Sequence, residues 1–175
     1  MNPDNIHVLI LSAGKIEKDL ECIFGSLPSG LIPLHGKPAI FRIIDKLLKD
    51  GFKKISITTG FKKEILEKIV SEQYEDQIKV NFITADFEKP PGNSILTAIE
   101  KIEERQLLVI LGDTLVENDL SNLIQNNNSF VLISDNFEIP ANWCVVTSKD
   151  GKLDSIFDKE KDLQKTNEQH ALVGV

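Results

Sequence analysis

Residues 7–14 read His7-Val8-Leu9-Ile10-Leu11-Ser12-Ala13-Gly14, an apolar run that ends in three small residues. The apolar run predicts a buried strand. The small residues predict a turn whose backbone N–H groups stay open to a ligand, because no large side chain blocks the approach. A long loop then leads to Leu31-Ile32-Pro33-Leu34-His35-Gly36-Lys37-Pro38 and to a helix that Pro38 can begin. This arrangement indicates an α/β domain that handles nucleotides.

Strand and helix patterns alternate from this first strand to Asp113. Strands are predicted at residues 7–11, 54–58, 79–84 and 107–111. The helices between them are predicted from apolar residues three and four positions apart, and Asn93 is expected to cap the third of these helices. Repeated strand–helix–strand units imply a mostly parallel sheet with helices on both faces. The predicted fold is therefore a Rossmann-like, three-layer α/β/α sandwich with a mostly parallel, mixed sheet.

The pattern changes after Asp113. A short helix is predicted near residues 119–125, and further strands are predicted at residues 130–134, 143–148 and 153–157. Asp150-Gly151 between the last two strands predicts a tight hairpin turn. Residues 171–175 have the pattern of another strand that is just beginning. We therefore expect one domain over residues 1–175, truncated at its C-terminal end.

The composition argues against several classes of function. The chain has 175 residues and a formal net charge of -7, so a general basic surface for nucleic acid is not expected. Cys22 and Cys144 are far apart and belong to no CxxC pair, which argues against a disulfide framework or a zinc site. No apolar stretch has the length of a membrane span, and the N-terminus lacks a basic signal region. We expect a cytoplasmic protein without nucleic-acid or membrane partners.

Small and acidic residues follow three of the predicted strands. In an open parallel sheet, ligands bind beyond the carboxyl ends of the strands, near the point where the strand order reverses. Leu11-Ser12-Ala13-Gly14, Thr59-Gly60 and Leu111-Gly112-Asp113 are expected at such ends. A carboxylate just past a buried strand can hold Mg²⁺ against phosphate oxygens, and this is the role predicted for Asp113. The alternative is that Asp113 is an ordinary turn aspartate that caps the next segment.

The order of the motifs resembles that of sugar-phosphate nucleotidyltransferases, and the likeness extends over essentially the whole chain. The matching segments are Leu11-Ser12-Ala13-Gly14, residues 31–38, Ile57-Thr58-Thr59-Gly60-Phe61, Gly92-Asn93-Ser94, Leu111-Gly112-Asp113, residues 149–160 and residues 171–175. The resemblance implies that a sugar 1-phosphate attacks the α-phosphate of an NTP. Pyrophosphate then leaves, and a nucleotide sugar for polysaccharide or glycoconjugate synthesis remains. The expected cofactor is Mg²⁺, and the expected partners are small molecules.

The resemblance also implies roles for individual residues. Leu11, Ser12, Ala13 and Gly14 would hold the base and ribose, and Gly92, Asn93 and Ser94 would lie against the base and sugar. Asp113 would bind Mg²⁺, and Lys159 would contact the sugar phosphate.

The chain departs from the family at its expected cations. It has no Gly-Thr-Arg after Gly14, and Pro28-Ser29-Gly30 stands where the family has Pro-Lys. Lys15 and Lys18 are the candidates to replace the missing arginine, and Lys37 is a third cation in the Gly-Lys-Pro helix start. The family often has a glutamine before its glycine-rich base contact, but this chain has Asp86-Phe87-Glu88-Lys89-Pro90 there. Base preference therefore does not carry over from the family.

Two other functions fit the same sequence. The missing arginine and lysine favour a catalytically inactive nucleotide- or sugar-binding regulatory domain of a larger protein. A glycosyltransferase of this fold ranks last, because it would normally show Asp-x-Asp where this chain has Gly112-Asp113-Thr114. The sequence leaves open a homo-oligomer and further domains in the same chain.

Overall fold

The computed structural model describes residues 3–124, 129–160, 162–164, 166 and 168–172. Its contacts divide the chain into two units, Met1–Asn128 and Ser129–Val175. The strands of the first unit are β1 His7–Ser12, β2 Pro33–Leu34, β3 Lys37–Pro38, β4 Lys54–Thr59, β5 Asn81–Thr84 and β6 Leu107–Leu111. Its helices are α1 Lys18–Phe24, α2 Ala39–Lys49, α3 Lys63–Tyr74, α4 Pro91–Ile99 and α5 Leu120–Leu123.

Four strands of the first unit form a parallel sheet in the order β5-β4-β1-β6. The strands lie in level register, because His7 pairs with Lys54 on one side and with Leu107 on the other. At the far end of β1, Ser12 pairs with Thr59. The carboxyl ends of the central strands therefore meet at one edge of the sheet, and the predicted parallel α/β fold is confirmed.

Helices cover both faces of this sheet. On one face, Ala98 and Ile95 of α4 pack against Leu9 of β1 and Ile83 of β5. On the other face, Ile110 of β6 lines a cavity of about 290 Å³ together with residues of α2. Ile110 pairs with Ile10, and successive side chains of a strand point to opposite faces, so α2 and α4 lie on opposite sides. This is the three-layer arrangement expected from the sequence.

Four local predictions differ from the structure. The long loop after β1 contains the helix α1, and the third strand begins at Asn81 rather than at residue 79. Asn93 does not cap α4, because the helix begins at Pro91 with Pro90 as the cap residue. A proline fits the first helical position, since the N–H that it lacks would have no partner within the helix. Pro38 likewise caps α2 rather than beginning it.

The second unit is an antiparallel sheet. Its strands are β7 Ile133–Ser134, β8 Cys144–Lys149, β9 Lys152–Asp158 and β10 Gln169–Leu172, in the order β7-β10-β8-β9. Phe137, Val145 and Ala171 form its core. The predicted hairpin is confirmed, with Asp150 and Gly151 both at positive φ (51° and 70°), as a tight two-residue turn requires.

Other predictions after Asp113 are met in part. The strand predicted at residues 130–134 is limited to β7, and α5 begins after its cap residue Asp119. Gln125, at the end of the predicted short helix, and residues 173–175 of the last predicted strand lie outside the described residues. Among the residues described, no helix combines the length and the apolar character needed to cross a membrane.

A network of polar side chains joins the amino ends of the parallel strands, at the edge of the sheet opposite their carboxyl ends. Buried His7 places Nδ1 2.9 Å from Glu104 Oε2 and Nε2 2.8 Å from Ser56 Oγ. Lys54 Nζ lies 2.9 Å from Glu104 Oε1. The hydrogen bond from Lys54, assisted by His7, lowers the pKa of Glu104 from 4.5 to about 2.

Replacing Glu104 should change how stability depends on pH. A carboxyl group with a lowered pKa in the folded state stabilises the protein above its ordinary pKa, and that contribution is lost as the pH falls toward the folded value. Glu104→Gln should therefore reduce the free energy of unfolding most near neutral pH, and the difference from the wild type should shrink below about pH 4.5. Urea unfolding of both proteins over this pH range measures the difference in their free energies of unfolding. Exposed Glu103→Gln is the matched control, and a loss that does not vary with pH would contradict the assignment.

Candidate functional site

The strand order reverses between β1 and β6. The chain passes from β1 to β4 and β5 on one side, and β6 then pairs with the free side of β1. Beyond the strand ends, the N–H of Gly112 donates to the carbonyl of Leu11 at 2.8 Å. Asp113 therefore follows β6 directly beside the turn that follows β1. This is the position at which open α/β sheets bind ligands.

Three segments pack against one another at this reversal point. A Cβ atom added to Gly112 would lie 2.8 Å from Ser12 Oγ and 2.9 Å from the carbonyl oxygen of Leu11. A Cβ added to Gly30 would lie 2.5 Å from the same hydroxyl oxygen. Ser12 is 1% exposed, and its Oγ has no hydrogen-bond partner among the described residues. Glycine at both positions makes room for this approach, and the side chain of Ser12 is buried between the segments.

A second close approach joins the turns after β1, β4 and β5. The N–H of Phe61 donates to the carbonyl of Ala13 at 2.8 Å. A Cβ on Gly60 would lie 2.8 Å from the carbonyl oxygens of both Ala13 and Ala85. The three turns are thus fixed to one another through backbone atoms.

The first turn of α4 reaches the same edge of the sheet. The helix begins soon after β5 and packs through Ile95 against the cluster that contains Leu9 and Leu11 of β1. This packing brings Gly92-Asn93-Ser94 to the carboxyl end of β1. A Cβ on Gly92 or on Gly14 would meet no atom within 4 Å, so both glycines border open space.

The candidate cations differ in their surroundings. Lys15 and Lys18 are exposed, and Lys15 forms an isolated antiparallel bridge with Pro28. Lys37 forms an ion pair with Asp45, and Asp45 Oδ1 also accepts a hydrogen bond at 2.7 Å from the buried hydroxyl of Tyr74. Lys37 therefore has a structural partner, whereas Lys15 and Lys18 extend into solvent.

Lys62 lies near the site although no sequence motif indicates it. Its backbone is left-handed, with φ 46° and ψ 42°, and Nζ donates to the carbonyl of Ser26 at 2.6 Å. The contact joins the turn after β4 to the loop after β1. A positive φ is uncommon outside glycine and is worth examining near a site. The Gly60-Phe61-Lys62 turn is the only local signal, because Lys62 and Ser26 are far apart in sequence.

Asp113 is an exposed carboxylate. Within the described parts of the chain, no group of three or more His, Cys, Asp and Glu side chains could enclose a metal ion. Mg²⁺ commonly uses one or two carboxylates and completes its coordination with water and substrate phosphates. The residues present therefore suit Mg²⁺ only as part of a complex with a phosphate-bearing ligand.

Lys159 belongs to the second unit. It follows β9, is exposed, has a φ of 53°, and its N–H donates to the carbonyl of Trp143 at 3.1 Å. Its predicted role toward a sugar phosphate stays a prediction.

A family model described as Nucleotidyl transferase matches residues 7–131. The chain belongs to this nucleotidyl transferase family. The matched region contains every site turn described above, from the end of β1 to Asp113. The family assignment based on the order of the motifs is therefore confirmed.

Individual relatives in the nucleotidyl transferase family are distant. The chain is 31% identical over 154 residues to the bifunctional protein GlmU of Methanococcus maripaludis, covering 87% of this chain and 35% of that protein. It is 29% identical over 121 residues to the D-glycero-alpha-D-manno-heptose 1-phosphate guanylyltransferase of Aneurinibacillus thermoaerophilus, covering 69% and 52% of the two chains. The chain thus spans between about a third and a half of the length of these curated relatives.

A solved structure confirms the fold. HddC from Yersinia pseudotuberculosis, complexed with GMP-PN, superposes with a TM-score of 0.71 at 22% identity. The match covers 96% of this chain and 73% of that chain. The nucleotidyl transferase fold is therefore retained at low sequence identity.

Gly60 lies so close to the neighbouring backbone that no side chain should be tolerated at this position. Gly60→Ala forces a methyl group against two backbone carbonyls, and overpacking of this kind costs about 1–3 kcal/mol. Gly92→Ala is the matched control, because its methyl group meets open space and alanine favours a helix by about 0.5–1 kcal/mol over glycine. Chemical denaturation of both variants measures the difference. Equal stability of the two variants would show that the turns are not held this closely.

Ser12 and Gly30 should be energetically coupled. Ser12→Ala removes a buried hydroxyl that has no partner and should raise the free energy of unfolding by about 1 kcal/mol. Gly30→Ala should destabilise the protein, since its new Cβ lies 2.5 Å from Ser12 Oγ. The double variant should recover much of that loss, with a coupling energy of about 0.5–3 kcal/mol in a double-mutant cycle. Strict additivity would contradict the contact.

Proposed function

We propose that the protein transfers a nucleotidyl group from an NTP to a sugar 1-phosphate and releases pyrophosphate. The observation that carries this proposal is the open turn after β1 at the reversal of strand order, with Asp113 directly beside it. Family membership supports the reaction type. One relative is, by name, a heptose 1-phosphate guanylyltransferase, which supports a sugar 1-phosphate as the acceptor.

In the proposed reaction, an oxygen of the sugar phosphate attacks the α-phosphorus of the NTP. A new phosphorus–oxygen bond forms, the bond to the oxygen that bridges the α- and β-phosphoryl groups breaks, and pyrophosphate leaves with that oxygen. Such a transfer depends mainly on positioning and on compensation of negative charge. The open backbone of Leu11-Ser12-Ala13-Gly14 would receive the nucleoside, and Gly92-Asn93-Ser94 would lie alongside it.

Charge compensation would come from the metal and from lysines. Asp113 would hold Mg²⁺ together with the substrate phosphates, and the bound ion would supply positive charge to them. Lys15 and Lys18 extend into solvent from the loop after β1 and could turn toward a triphosphate. Lys159 is the proposed contact to the sugar phosphate.

We also infer the cellular setting from this reaction. The products would be nucleotide sugars for polysaccharide or glycoconjugate synthesis. The proposed location is the cytoplasm, and the proposed partners are the NTP and the sugar 1-phosphate. Light scattering on the same preparation tests assembly into a homo-oligomer, which the sequence leaves open.

A nucleotide-binding regulatory domain is the second candidate. It is favoured by the surroundings of Gly14, where the loop offers exposed lysines but no arginine. An arginine guanidinium presents a rigid fork of donors that a flexible lysine does not reproduce. Such a domain would bind nucleotides without turnover.

The proposed reaction is tested by pyrophosphate release from the five common NTPs, with a panel of sugar 1-phosphates, with and without Mg²⁺. We expect turnover with at least one pair, and we expect Asp113→Asn to lower it by about 100-fold or more. Asp76→Asn, an exposed substitution of the same type after α3, is the control and should leave turnover unchanged.

Nucleotide binding in the same preparations separates the two candidates. A melting-temperature shift with an NTP but no pyrophosphate supports the binding domain, because binding at about a hundredfold excess over Kd stabilises a protein by about 2.7 kcal/mol. No shift with any NTP would overturn both candidates. Normal turnover in Asp113→Asn would overturn the assignment of the metal ligand.

A further inference from the structure

Two phenylalanines form a pair at the carboxyl edge of the parallel sheet. Phe61 follows β4, and Phe87 follows β5. Their ring centroids lie 5.5 Å apart, with an angle of 71° between the ring planes. This is the edge-to-face arrangement that aromatic rings favour. Phe87 nevertheless remains 42% exposed.

The pair borders the open turn after β1. The N–H of Phe61 donates to the carbonyl of Ala13 at 2.8 Å. A Cβ on Gly60 would lie 2.8 Å from that same carbonyl oxygen and 3.1 Å from the Cβ of Phe87. Both aromatic residues are therefore anchored within a few ångströms of Ala13, on the side of the turn away from Asp113 and β6.

The loop holds Phe87 in place without burying it. The N–H of Glu88 donates to Asp86 Oδ1 at 3.1 Å, and Lys89 Nζ lies 3.6 Å from Asp86 Oδ2. On the other side of the pair, Lys62 Nζ lies 5.4 Å from the centroid of Phe61. A cation at this distance from a ring is attracted to it, which helps to keep Phe61 in position.

The exposure of Phe87 contrasts with the burial of a second aromatic pair in the first unit. Phe41 and Tyr74 also meet edge to face, at 5.6 Å, but Phe41 is 9% exposed and Tyr74 is 1% exposed. That pair belongs to the packing between α2 and α3. The pair of Phe61 and Phe87 instead presents ring surface at the edge where the site lies. An aromatic surface beside a ligand-binding turn is suited to stacking against a flat heterocycle.

We propose that Phe61 and Phe87 form the wall against which the base of the nucleotide packs, and that Phe87 stacks on the base and favours purines over pyrimidines. The proposal rests on the proposed function for the presence of a nucleotide in this site. The two fused rings of a purine overlap a phenyl ring more extensively than the single ring of a pyrimidine. Phe61 supports Phe87 from one side and acts as a positioning residue.

Calorimetric titration of the whole chain with GTP, ATP, UTP and CTP tests this assignment. We expect the wild type to bind the purine nucleotides more tightly. Phe87→Ala should raise Kd for GTP and ATP by about 5- to 160-fold, the range found for loss of one base–aromatic stack. Kd for UTP and CTP should rise less, so the preference for purines should shrink. Phe87→Tyr, which keeps the ring, should bind as the wild type does.

Ile99→Ala is the matched control. Ile99 is 48% exposed, close to the exposure of Phe87, but it lies at the last residue of α4, the end away from the site. Its substitution should leave every Kd unchanged. Melting temperatures of all variants show whether a lost affinity reflects a lost fold, and Phe87→Tyr tests the role of the ring if Phe87→Ala does not fold.

The outcomes distinguish this inference from the proposed function. Tighter binding of pyrimidines by the wild type, or equal changes of less than about twofold for all four nucleotides in Phe87→Ala, would overturn the role of Phe87. Selective purine binding without pyrophosphate release would overturn the proposed reaction and support the proposed packing of the base against Phe61 and Phe87. Failure of the wild type to bind any nucleotide would overturn both.

Discussion

The site depends on the close approach of backbone segments at the carboxyl ends of β1, β4 and β6. Gly112 lies against Ser12 and Leu11, and Gly60 lies against the carbonyl oxygens of Ala13 and Ala85. At these distances a methyl group has no room, so the turns hold one another in place through backbone contacts. The surface above them stays open, because Gly14 adds no side chain there. Gly112 and Gly60 thus account for the close packing of the turns, and Gly14 accounts for the open surface above them.

The level register of the parallel strands brings these packed turns together at one edge of the sheet. Since the strands of the parallel sheet end together, the turns after β1 and β6 meet where the strand order reverses, and α4 brings its first turn to the same edge. The aromatic pair lies on the β4 and β5 side, and Asp113 lies on the β6 side. A ligand placed over β1 would therefore have ring surface on one side and a carboxylate for a metal on the other. A nucleoside triphosphate has this distribution of apolar base and charged phosphates.

The loop after β1 lacks the arginine and the lysine that the resemblance to the family implies. The net charge of the chain is -7, and residues 15–30, which follow Gly14, contain no arginine. Two of the lysines discussed above already have partners: Lys62 Nζ donates to the carbonyl of Ser26, and Lys37 forms an ion pair with Asp45. Lys15 and Lys18 keep exposed side chains. In the proposed reaction, compensation of phosphate charge would rest on flexible lysine side chains and on the proposed Mg²⁺, so nucleotide binding and turnover can be measured as separate properties.

The sequence by itself determined the parallel α/β core, the hairpin at Asp150-Gly151 and the position of Asp113 after a buried strand. These features follow from periodicity and turn chemistry, which depend on residues a few positions apart. Local patterns did not predict α1, and they misplaced the start of α4. Only the tertiary structure decided the burial of Ser12, the contact of Lys62 with Ser26 and the pairing of Phe61 with Phe87. Each of these joins segments distant in sequence, and the packing of the whole sheet edge fixes which atoms meet.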